Sequence, residues 1–253
     1  MARTVRKRRL IERHSALLLS ASLIILWQVL VPVFGLSSFV LPTPWMIASR
    51  IANELPLLAI HSYYTFLEVA LGFGLSVAIG IPLSLAIFYS PAFERAVYPI
   101  LVALQTVPKV ALAPLLVLYL GYGWAPKIML AFLISFFPIV ISTVVGLQSL
   151  NRNLVSLVRS MGASEWQTFF KIRLPAALPN IFGGFKVAIS LAVIGAVIGE
   201  YIAAERGLGY LQLQANSNFD TTLNFATVIT ISGLGVALYF VIAFIESKVI
   251  FRH

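Results

Sequence analysis

Lys109 stands in the apolar run from Val97 to Leu120, with Gln105 and Thr106 one turn before it. An ammonium, an amide and a hydroxyl on adjoining turns suit the binding or passage of an anion. Ionisable residues inside apolar segments are costly and mark solute routes by default. A plainer task also fits: Lys109 snorkels, or caps a helix broken between Pro108 and Pro114. The sequence leaves both roles open. Glu200, near the end of the run Ile181 to Ala203, is a candidate gate or an ordinary interfacial residue. Glu68 precedes the run Val69 to Tyr89 and is expected to face water. His14, His61 and His253 stand singly, and cysteine is absent, so neither a metal site nor thiol chemistry is expected. No His/Asp/Glu or Ser/Lys pair falls at helical spacing within an apolar run, so no catalytic residue is assigned.

The elements that hold these groups follow from composition. Of the 253 residues, 60% are hydrophobic and 11% charged. A soluble domain has about 45–50% apolar and about 25% charged residues. The medium is therefore lipid, and the expected fold is an all-α membrane protein. Six runs are long enough to span: Ser15 to Phe34, Val69 to Tyr89, Val97 to Leu120, Ile128 to Gly146, Ile181 to Ala203 and Leu223 to Phe244. The first is 20 residues long and lacks a small-x-small cleavage site, so a retained span is expected after a basic segment, 1–14. Residues 15–253 then form a single transmembrane domain.

Of the 18 Lys and Arg residues, only Arg50, Lys127 and Arg206 fall in outer segments when the N-terminus is inside; Lys109 is unassigned. The positive-inside rule places both termini in the cytoplasm. The net charge of +9 then faces lipid headgroups and cytosolic partners, not nucleic acid. Outside lie a short interfacial helix within Gly35 to Ser62, carrying Trp45, Ile47, Ile51 and Leu55, and a loop from Ala204 to Thr222. Gly195 and Gly199 form a GxxxG pair, and Gly72, Gly74 and Gly80 thin another helix. Internal packing is the simpler use of such faces.

The longest cytoplasmic connection, about 150–176, holds two short helices. Asn151 to Met161 places Leu154, Leu157, Val158 and Met161 on one side. Gly162 permits a tight turn. Ser164-Glu165-Trp166-Gln167 fits a capping box. Trp166, Phe169 and Phe170 then share one face. Pro175 is expected to extend Leu174 and stop the helix, and Pro179 to open the next. Such a pair either lies flat on headgroups or docks a cytosolic partner through its aromatic anchors.

Gly162 and Ala163, nine residues between Gly162 and Ile172, then Leu174-Pro175 and Pro179, resemble the EAA motif of bacterial ATP-binding-cassette importer permeases, EAA-x3-G-x9-I-x-LP. The Glu-Ala-Ala part is absent; Ser156, Leu157 and Val158 stand there. "LPTPWMI", "VPKVALAPLLVLYLGYG" and "GEYIAAERGLGYL" are similar to the nitrate, sulfonate and taurine branch. The resemblance covers nearly the whole chain after Ser15. It implies a type I importer permease fold in the bacterial inner membrane, with Gly162, Ala163, Ser164, Trp166, Phe169, Phe170, Ile172, Leu174 and Pro175 in a coupling helix. It also implies two ATPase subunits that bind ATP and Mg, a second permease copy, and an extracytoplasmic binding protein. The chain has no G-x4-GK[ST] loop of its own. Lys109 favours an anionic solute such as a sulfonate, taurine or nitrate; a pyrimidine or riboflavin is the alternative within the family. A gradient-driven transporter would bury mid-span carboxylates, which are not expected here. A non-transporting scaffold leaves the Gly-x9-Ile-x-Leu-Pro string unexplained.

Overall fold

The computed structural model describes residues 2–250, with side chains from Leu18 onward except those of Arg152 and Arg159. The basic side chains of 1–14, His14, Arg252 and His253 lie outside the described residues. All regular structure among the described residues is helical: α1 (Ala2–Val33), α2 (Pro44–Asn53), α3 (Leu55–Tyr89), α4 (Pro91–Thr106), α5 (Lys109–Leu120), α6 (Trp124–Gln148), α7 (Arg152–Ser160), α8 (Glu165–Thr168), a π-helical turn (Phe169–Arg173), α9 (Leu174–Ala203), α10 (Leu208–Ser217) and α11 (Thr221–Ile250). Helices α3, α6 and α11 and the continuous run Glu165–Ala203 are long and apolar enough to cross a bilayer, and the described part of α1 adds the shorter apolar stretch Leu18–Val33.

The expected third span is not straight. Helices α4 and α5 meet at 95°. Val107 precedes Pro108 and is extended (φ −68, ψ 125), as the proline ring demands. Pro82, Pro99, Pro114 and Pro138 stay inside helices. At Pro108 the stranded carbonyls find new donors: Thr106 Oγ1 bonds Ala103 O, and Lys109 Nζ bonds Gln105 O, both at 2.8 Å. Side-chain donors replace the backbone donors that the break removes.

The chain forms two compact units. One comprises residues 1–58 and 211–229. Within it, Thr43 caps α2 by accepting from Met46 N, and Pro44 begins the helix. Arg50 pairs with Asp220 at 2.7 Å, Thr221 Oγ1 bonds Phe39 O at 2.6 Å, and Trp27 meets Phe225 at a ring distance of 6.1 Å. Along α2 Trp45 is exposed and Ile47 buried.

The other unit comprises residues 59–210 and 230–253. Its centre is the packing of α3 and α9 on α6. Gly72, Ser76, Gly80 and Ser84 recur every fourth residue along α3 and meet α6. Ser76 Oγ lies 2.7 Å from Ser135 Oγ, and Ser84 Oγ bonds Val140 O at 3.2 Å. Gly195 and Gly199 of α9 also face α6: a Cβ on Gly195 would fall 2.7 Å from Ala131 Cα. Small residues thus let three helices approach closely, which in lipid supplies dispersion contact where water offers no driving force. The internal-packing reading holds for Gly72, Gly80, Gly195 and Gly199; a Cβ on Gly74 would meet nothing within 4 Å.

Candidate functional site

The segment after α6 builds a rigid hairpin from local bonds. Helix α7 ends with Met161 N on Leu157 O and Ala163 N on Val158 O, a closure that needs Gly162 at φ +86. Ser164 then caps α8. Its Oγ accepts from Gln167 N at 3.3 Å, while Gln167 Oε1 accepts from Ser164 N at 3.0 Å. The capping box is complete, as its sequence predicts.

The aromatic face divides in two. Trp166 and Phe170 stack nearly parallel, 5.5 Å apart and tilted by 5°, and both are exposed, Trp166 to 74%. Phe169 turns the other way. It is half-buried, meets Tyr89 at 6.0 Å, and packs with Leu174 against Leu147, Ala177 and Ile181. Ala163, Ile172 and Pro175 are also half-buried, and Gly162 and Ser164 exposed. The proposed docking set therefore has an outward pair, Trp166 and Phe170, on an inward footing.

Pro175 does not stop the helix. Leu174 is α-helical (φ −63, ψ −47), and the chain stays helical from Glu165 to Ala203, with Pro179 inside α9 rather than opening it. The π-helical turn Phe169–Arg173 is the reason. Leu174 N bonds Phe169 O, five residues back, and the wider turn accommodates the proline without a break. Arg173 lies 4.6 Å over the Phe88 ring and donates to Leu147 O at 3.3 Å, fixing the turn to α3 and α6.

The suggested pathway residues do not converge. Gln105 and Thr106 are exposed at the α4–α5 break, and Lys109 caps the Gln105 carbonyl there. Glu200 lies in another element, 1% exposed. It accepts from Thr65 Oγ1 at 2.6 Å and from Gly209 N. Glu200 is thus buried and hydrogen-bonded, three residues before the end of α9. Glu68, expected in water, is fully buried and ion-paired to Lys127 of α6, itself 4% exposed and expected in an outer segment. The reason is helix length: α3 begins at Leu55, so Glu68 sits well inside it and not at its edge. Glu68, inside a helix long and apolar enough to span, is the buried carboxylate that was not expected there; Glu200 stays near the end of α9, as its place in the sequence implies. The expected loop Ala204 to Thr222 contains α10, with His61 and Thr65 of α3 bonded to its first turn. No group of three or more His, Cys, Asp or Glu able to hold a metal occurs among the described residues.

The profile of the family described as "Binding-protein-dependent transport system inner membrane component" matches residues 70–251. The chain belongs to that family. Among its curated relatives, the formylaminopyrimidine transport permease protein ThiX of Halalkalibacterium halodurans is 39% identical over 85% of this chain and 86% of its own. The riboflavin transport system permease protein RibX of Chloroflexus aurantiacus is 36% identical over 88% and 84%. The putative aliphatic sulfonates transport permease protein SsuC of Bacillus subtilis is 32% identical over 98% and 92%. The fold is that of the inward-facing MetNI methionine ABC transporter, with a TM-score of 0.65 at 20% identity over 79% of this chain and 97% of that one. The protein is a multi-pass ABC importer permease, as its sequence resemblance implies.

Sequence reading of the permease missed the polar cluster around Glu200. A signal was present: His61, Thr65 and Glu68 recur at i, i+4 and i+7, which places them on one helix face. They were overlooked because they precede the apolar run on which the second span was drawn.

Proposed function

We propose that the permease is driven by a separate ATPase that grips the Trp166–Phe170 stack. Two aromatic rings with little conformational entropy to lose, exposed on a capped and packed hairpin, suit an anchor into a cleft. In this reading two permease copies pair with two ATPase subunits, which hold ATP and Mg, and an extracytoplasmic binding protein delivers solute. The permease lies in the bacterial inner membrane with both termini cytoplasmic, and nucleotide biases a two-state change in access. The test is replacement of Trp166 and Phe170 together by Ala. Co-purification with the ATPase and ATP-dependent uptake should both fall while the variant unfolds at the wild-type temperature. Wild-type uptake by the double variant would sink the reading.

The solute in this reading is a nitrogen heterocycle of vitamin metabolism, a formylaminopyrimidine-like or flavin-like compound. The Lys109 ammonium was the only feature favouring an anion, and it is occupied by the Gln105 carbonyl. Relatives at 39% and 36% identity are named for such heterocycles. An aliphatic sulfonate, taurine or nitrate is the second reading, supported by the relative that covers most of this chain. Thermal-shift measurement of the partner binding protein against formylaminopyrimidine, riboflavin and taurine separates them; stabilisation by taurine alone would overturn the heterocycle.

A further inference from the structure

Three consecutive residues at the start of α10 are each bonded through the backbone to a side chain from another helix. His61 Nδ1 lies 3.0 Å from Gly207 N and 2.9 Å from Gly207 O and bonds one or the other according to its tautomer, while Leu208 N donates to Thr65 Oγ1 (2.8 Å) and Gly209 N to Glu200 Oε2 (2.5 Å). The Thr65 hydroxyl completes the set by donating to Glu200 Oε1. A helix start leaves its first N–H groups unpaired, and a Ser, Thr, Asp or Asn at the cap position ordinarily serves them. Here the residue before the helix is Gly207, at φ +124, with no side chain to offer. The cap comes instead from α3 and α9. Glu200 also brings negative charge to the positive end of α10.

The site is closed to other partners. His61, Thr65, Glu200 and Leu208 are all buried, and Glu68 with its partner Lys127 lies against Glu200. Glycine makes the approach possible: a Cβ on Gly209 would fall 2.8 Å from both Glu200 Oε2 and Val197 O. Displacing the first turn of α10 would part the buried His61, Thr65 and Glu200 side chains from their backbone partners at 207–209 together. The turn lies on the chain path from α9 to α11.

We infer that the first turn of α10 is a latch, held on α3 and α9 by His61, Thr65 and Glu200 and released only as a unit, with Glu200 as its positioning residue. The inference stands apart from the identity of the solute and from ATPase docking. It is tested by amide-resolved hydrogen exchange on the full-length permease in lipid nanodiscs. Glu200→Ala and Thr65→Ala should each speed exchange at amides 207–209 by about tenfold or more, with the α7–α8 hairpin unchanged. Glu200→Gln keeps an acceptor oxygen and should restore exchange to within about threefold of wild type. Gly209→Ala attacks the same bond from the opposite side. It should release the same three amides, and the Glu200→Ala/Gly209→Ala double variant should exchange no faster than either single one. If Glu200→Ala does not fold, Thr65→Ala and Gly209→Ala carry the test. Exchange at 207–209 within about twofold of wild type in those two variants overturns the latch, as does a double variant whose effects multiply.

Discussion

Trp166 and Phe170 expose two aromatic faces on a hairpin between spans, whereas Glu200, Thr65, His61, Glu68 and Lys127 bury polar groups among apolar helices. Each region reverses what its surroundings favour, and each is held differently. In the hairpin the bonds are local: Ser164 with Gln167, Ala163 with Val158, Leu174 with Phe169. In the polar cluster His61 reaches Gly207 and Thr65 reaches Glu200, across 146 and 135 residues of sequence. A locally closed hairpin can present apolar groups outward without losing its shape. A cluster closed only by tertiary contact loses its polar partners whenever the helices part.

The most disruptive single change should be Lys127→Ala. It leaves the Glu68 carboxylate buried without its ion-pair partner, and removal of one partner of a buried pair costs about 3–5 kcal/mol. The double variant Glu68→Leu/Lys127→Met should regain most of that stability in denaturant unfolding of the detergent-solubilised permease. A double variant no more stable than the single one would show that the pair is not a closed unit.

Packing comes next. Gly195→Ala should cost about 1–3 kcal/mol, because its Cβ meets the α6 backbone. Gly183→Ala has open space and should be neutral or stabilising by up to about 1 kcal/mol, from helix propensity. Equal unfolding midpoints for the two would contradict the tight α6–α9 contact.

Loss of the hairpin's own bonds should cost less. Ser164→Ala removes one half of the capping box, worth about 1 kcal/mol, and should show as faster amide exchange confined to α8. Smallest for stability is Trp166→Ala, an exposed change expected within about 0.5 kcal/mol, whereas Phe169→Ala empties part of a packed cluster and should cost about 1–3 kcal/mol. If Trp166 and Phe169 proved equally costly to unfold, the division of the aromatic face into an outward pair and an inward footing would be wrong.

Legibility tracked the range of the interactions. The capping box at Ser164, the turn at Gly162, α7 and the short helix α2 were all readable, since each depends on residues within about five positions. The small-residue faces of α3 and α9 were readable as packing surfaces but carried no mark of their partner. The break at Pro108 was foreseeable in kind. Its 95° bend was not, because Pro114 looks equally able to break a helix and does not. At Pro175 local reasoning failed outright: a π-helical turn, anchored by Arg173 on Phe88 and Leu147, carried the helix through a residue that ordinarily ends one.

The sequence alone determined that this chain lives in lipid and that one segment between its apolar runs forms a capped aromatic hairpin, because hydrophobic length and local hydrogen bonding are properties of neighbouring residues. Tertiary structure alone decided which of Glu68, Lys127 and Glu200 would be buried and with whom, and that α10 would be capped by α3 and α9. A buried charge is tolerable only beside its partner, and those partners come together only when distant helices pack.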